Sequence, residues 1–245
     1  MTTTDVTRPS PTLHTVKSLR RTVLRMAAWF WGLAVAGVAV ATLVVWLVDG
    51  EVDQLIAVLA LQGGIWFPFS QAIAISGTYL VAHVAAGMTR RTFARAALVV
   101  AVVTGFGYAV ALGLLVLAER ALHLALGWGV RTATVGLPVG DPSVGDLLAA
   151  LAALVVPFVL ANVAGLLVGI VYQRLGGLWG TLTLPFTVGP LVLVLYVLPF
   201  VPFLGLPEGG PRIALGALVG GLLAAACAAV FATLARRTQL ASTTG

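Results

Sequence analysis

The chain has 245 residues, of which 60% are apolar and 9% charged, with a mean hydropathy of +1.07. A typical soluble domain is about 45 to 50% apolar and about 25% charged, so a water-soluble monomer is excluded. A disulfide-built scaffold is excluded too, because Cys227 is the single cysteine, and the net charge of +6 is gathered into short clusters between apolar runs, which marks membrane orientation and not a nucleic-acid face.

At about 20 residues per crossing, the apolar runs predict an all-α polytopic membrane protein with six transmembrane helices. Residues 1–12, rich in Thr, Ser and Pro, are expected to form a mobile N-terminal tail, and 13–240 a single membrane domain. Leu13, Val16, Leu19, Val23 and Leu24 recur near helical spacing with Lys17, Arg20, Arg21 and Arg25 around them. That pattern predicts a basic amphipathic helix on the inner leaflet, or else flanking charges that only fix orientation. The first span follows at 26–48, without a cleavage signature.

From Leu55 the chain is apolar for longer than one perpendicular helix needs. Gly63, Gly64 and Pro68 predict a short external helix, then a second span at 66–86 with Pro68 in its first turn. In that span Ser76, Tyr79 and His83 fall on one helix face, to line a solute path or to bond neighbouring helices. The third span, 96–118, offers Thr104 and Tyr108, and the fourth, 147–172, Asn162. The fifth, 178–200, offers Thr183 and Thr187 with Pro185 and Pro190. The sixth lies at 213–234, before a tail at 241–245. Small residues four apart, Ala161, Gly165 and Gly169 in the fourth span and Gly216, Gly220, Ala224 and Ala228 in the sixth, permit close helix contact.

The basic clusters before the first span, at Arg90, Arg91 and Arg95, at Arg174, and at Arg236 and Arg237 share one side if the spans number six. The positive-inside rule makes that side cytoplasmic, with both termini inside. No Asp, Glu, Lys or Arg falls in any of the six segments, which weighs against a proton-coupled pump. Lys17 follows no Gly-rich turn, so the chain has no nucleotide-binding loop of its own. Ser76 in Ala74-Ile75-Ser76-Gly77 lacks a histidine base in the last span, so a protease is disfavoured, and His14, His83 and His123 are too scattered for a metal site. No catalytic residue and no cofactor is expected in this chain.

The inner break Gly87-Met88-Thr89-Arg90-Arg91-Thr92-Phe93 resembles the Gly-x-Ser/Thr-Arg-Arg/Lys-x-Phe segment that follows the second span in permease subunits of bacterial ABC-2-type exporters. Trp66-Phe67-Pro68-Phe69 is similar to the aromatic entry of that span. The resemblance extends over most of the chain through the six spans and the basic N-terminal helix. It implies a multi-pass permease of the bacterial plasma membrane, paired with a second copy or a related chain. ATP and Mg would be held by a separate ATP-binding-cassette subunit, and no nucleic acid is implied. Thr89, Arg90, Arg91 and Phe93 would form the ATPase-coupling turn, where charge-assisted donors sit beside one apolar anchor. A secondary carrier without an ATPase and a non-transporting membrane scaffold are the alternatives.

Overall fold

A backbone surrounded by lipid finds no water for its N–H and C=O groups, which leaves helices, bonded within each segment, as the open route for this composition. The computed structural model describes residues 11–129, 142–198 and 210–237, and the regular elements among them are all helical. Five helices among the described residues are long and apolar enough to cross a bilayer, and the chain is a multi-pass helical membrane protein. The N-terminal tail up to residue 10, residues 130–141 of the outer loop, positions 199–200 of the expected fifth span and the tail 241–245 lie outside the described residues.

Helix α1 (Pro11–Asp49) is unbroken, which corrects the expectation of a separate amphipathic helix on the inner leaflet. Thr15, Leu19 and Val23, spaced by four, are buried against the rest of the protein, while Lys17, Arg20, Arg21 and Arg25 keep the exposed side. Protein covers one side of the helix, at Thr15, Leu19 and Val23, while Leu13 and Leu24 stay exposed, and the helix continues into the first span.

A 3-10 turn at Ile56–Leu59, α2 (Ala60–Ala74), a π turn at Ile75–Tyr79 and α3 (Leu80–Ala85) form one continuous rod. This replaces the expected external helix and second start. Gly63 and Gly64 admit aromatic rings instead of breaking the helix: a Cβ on Gly63 would lie 3.3 Å from the Phe30 ring, and one on Gly64 3.2 Å from Phe158. Pro68 stands inside α2. Its missing N–H costs one bond, whereas a full break in lipid would strand several groups. In the π turn the Gly77 carbonyl accepts a hydrogen bond from Gln173 Nε2 at 3.2 Å.

Helix α4 (Arg90–Ala125) overruns both ends of the expected third span. Helix α5 (Val144–Leu182) starts from a reciprocal cap, in which Ser143 Oγ accepts from the Asp146 N–H and Asp146 accepts from the Ser143 N–H. It kinks at Gly176, whose φ of +76° a side chain would resist. Every residue from 160 to 171 is buried, so α5 is the post around which the other helices gather.

The small residues of α5 make this possible. A Cβ on Gly165 would strike the Phe69 carbonyl, and one on Gly169 would strike the Ser76 hydroxyl and the Ile73 carbonyl. On α4, a Cβ at Gly105 would sit 2.7 Å from the Val159 backbone. These positions pack helices of one chain against each other.

The expected fifth span at 178–200 is not one long helix. Beyond the kink the chain continues through α6 (Leu184–Thr187), α7 (Gly189–Val192) and a π turn at Leu193–Val197. Pro185 and Pro190 each remove an N–H from the ladder, and the pieces are stitched by bonds such as Thr187 N–H to Thr183 O and Val192 N–H to Val188 O, both at 3.1 Å. The ribbon leaves Gly180 packed on the Tyr172 ring and reaches Tyr196, whose hydroxyl donates to Gln62 Oε1 at 2.8 Å. Helix α8 (Gly210–Arg237) completes the bundle, with Cys227, Phe231 and Ala235 buried.

Candidate functional site

The turn between α3 and α4 is tightly built. Gly87, at φ +79°, ends α3 with a pair of bonds, Gly87 N–H to Val84 O at 2.9 Å and Met88 N–H to His83 O at 3.2 Å. Two residues later Thr89, with extended backbone angles, caps α4: its Oγ1 accepts from the Thr92 N–H at 3.1 Å and shares a 2.8 Å bond with the Thr92 hydroxyl. Arg91 and Arg95 are exposed and Arg90 is half-buried. Phe93, expected as the anchor for a partner, points instead into its own bundle: it is fully buried, with its ring 5.5 Å from the ring of His83. The surface this turn offers is therefore Thr89 and the arginines, on a base held down by Phe93.

Beside the turn lies a groove of about 380 Å³, lined by Thr15, Ser18 and Leu19 of α1 and by Tyr79, His83 and Phe93. The other candidate path residues do not join it. Ser76 is fully buried, bonds to the Ala72 and Ile73 carbonyls of its own helix and touches α5 at Gly169. Tyr108 packs with Phe30 and Trp31, and lines with Thr104 a separate groove between α1 and α4. Asn162 is buried and donates to the Phe158 carbonyl at 2.9 Å. Thr183 and Thr187 donate within the ribbon, to Gly180 O and Thr183 O.

Asn162 and Thr104 share a small cavity of about 10 Å³ with Gln71. Both polar atoms of the Gln71 side chain are buried without a hydrogen-bond partner. A cavity of that size is at the lower limit for one water, which would satisfy the amide.

The sequence reading missed a polar cluster at the far end of α4. Glu119, Arg120 and His123, which lie beyond the expected third span at 96–118, are helical and buried, at 5%, 5% and 0% exposure. All three belong to the same continuous helix as the third span and directly follow the segment 96–118. The Glu119 carboxylate accepts the backbone N–H groups of Ile56 at 2.8 Å and Ala57 at 2.7 Å, and Thr42 Oγ1 lies 3.5 Å away. It caps the first turn of the second rod from another helix. The signal was present in Ala121, Leu122, Leu124 and Leu126, which carry the apolar pattern past Arg120.

No protein-family model, no curated protein sequence and no solved structure matches the chain. Among the described residues no group of three or more His, Cys, Asp or Glu side chains is placed to hold a metal ion.

Proposed function

We propose that this chain is the membrane-spanning permease of an ATP-driven exporter of the bacterial plasma membrane, paired with a second permease and driven by a separate ATPase subunit that holds ATP and Mg. The observation that carries the reading is the α3–α4 turn, a short connection closed at both helix ends that presents Arg91 and Arg95 outward. A turn with little internal freedom transmits displacement from a docked protein to the two helices it joins. Phe93 then acts as the inward peg that ties the turn to the bundle, and Thr89, Arg90 and Arg91 as its docking face.

We count six crossings in this reading, with the ribbon of α6 and α7 as the fifth. The ribbon's run from the Tyr172 end of α5 to Gln62, near the start of the rod headed by Ile56, supports that count. Both termini then lie on the cytoplasmic side with Arg91 and Arg174. The solute path, drawn from Tyr79, His83 and their neighbours, would be completed by the second permease.

The test is reconstitution with the cognate ATPase. Arg91→Glu should leave the permease inserted and abolish its stimulation of ATP hydrolysis; stimulation at the wild-type level would remove the coupling role from this turn. A secondary carrier is the second reading, favoured by the buried Glu119, Arg120 and His123, since ionisable groups in spanning helices often serve ion coupling. Solute flux that survives ATP depletion in vesicles would decide for it.

A further inference from the structure

Helices α1 and α4 leave a groove of about 420 Å³ between them. Val23, Ala27 and Trp31 of α1 face Val100, Val103 and Gly107 of α4, and the walls are mostly apolar, with Thr104 and Tyr108 part-way along and Arg20 near one end. Along the helix Arg20 lies about 16 Å from Trp31, close to the depth of about 15 Å that one leaflet contributes to the hydrocarbon core. Arg20 is exposed and makes no ion pair among the described residues, while Lys17 and Arg21 stand exposed beside it.

An apolar channel as long as one leaflet, with a free guanidinium at its mouth, matches one molecule in shape and charge. We propose that the α1–α4 groove is a binding site for an anionic phospholipid of the leaflet at the N-terminal end of α1, with an acyl chain along Val23–Trp31 and the phosphate on Arg20. A guanidinium binds phosphate oxygens through paired donors, and a basic pocket between membrane helices on the headgroup side selects acidic lipids. The absence of any acid from Lys17 to Arg25 disfavours a headgroup that carries its own cation. The site stands apart from the transport reading, since it requires neither an ATPase nor a solute.

The test uses the full chain reconstituted in vesicles of equimolar phosphatidylglycerol and phosphatidylcholine, extracted in mild detergent, with retained lipids counted by mass spectrometry. Wild type should keep phosphatidylglycerol in preference to phosphatidylcholine. Arg20→Gln should reduce that preference about fivefold. Arg21→Gln, which removes an equal charge outside the groove, should reduce it less. Gly107→Leu should lower the retention of both lipids, because a side chain there enters open groove without striking protein. Each variant is first shown to elute as wild type, so that loss of folding is seen separately. Equal retention of the two lipids by wild type, equal losses for the two arginine variants, unchanged retention in Gly107→Leu, or displacement of the lipid by inorganic phosphate would each overturn the proposal.

Discussion

The first backbone N–H groups of a helix have no acceptors within it, and inside a membrane protein water is not there to help. At Ile56 and Ala57 the need is met by Glu119, which also places a negative charge at the positive end of the rod it caps. Each charge-assisted bond contributes about 1.5 to 3 kcal/mol, and the carboxylate is nearly fully buried, so Glu119→Ala should lower stability by about 3 kcal/mol or more. Glu119→Gln keeps one carbonyl acceptor but turns an NH₂ toward the second N–H, and should fall between the two. The midpoint of denaturation in mixed micelles measures both, and a wild-type midpoint for Glu119→Ala would show that the cap contributes nothing. Pairing of a carboxylate with two N–H groups more than sixty positions away leaves no trace in local sequence. Spacing could have revealed that Glu119 was helical, but not what it holds.

Among the elements, the apolar runs announced where the spans lie, and their order along the chain is that of the helices. Their ends were less legible, because polar residues that stop a hydropathy run do not stop a helix whose side is covered by protein, as Thr15 to Val23 and Glu119 to His123 show. Glycine misled at Gly63 and Gly64, where contact with Phe30 and Phe158 was its use. At Gly87 and Gly176 glycine has another use, since both stand at positive φ. In the fifth span Pro185 and Pro190 divide the helix into short pieces, whereas α5 stays whole through 160–171. That difference predicts a dynamic contrast. Backbone groups at 183–192 lack complete ladders and those at 160–171 sit in the buried post, so in lipid nanodiscs amide exchange should be at least about tenfold faster in the ribbon. Equal protection in both segments would mean that the ribbon holds as firmly as α5.

For the whole molecule the open quantity is the number of crossings, and exposed residues of α1 help to fix the slab. Arg20 and Trp46 are both exposed on α1, and their separation along the helix is about 39 Å, near the thickness of a bilayer with its headgroup regions, as expected of residues at its two sides. Trp31 lies beside Tyr108 and Thr42 beside Glu119, so α1 and α4 run parallel at a constant offset, with Glu119 about one turn inside the level of Trp46. The ribbon spans the same slab only if its broken helix counts as a crossing. A crossing ribbon returns the chain to the far side before α8, and α8 then brings Arg237 back to the side of Arg174. A ribbon that merely dips would put Arg237 on the opposite side. Cysteines introduced at Leu13, Arg91, Arg174 and Arg237 should therefore be shielded from an impermeant maleimide in intact cells, and those at Glu51 and Val144 should react. Native Cys227 is buried and should stay silent. Labelling at Arg237 with protection at Arg174 would reduce the crossings to five and place the C-terminus outside, away from any ATPase docked at Arg91.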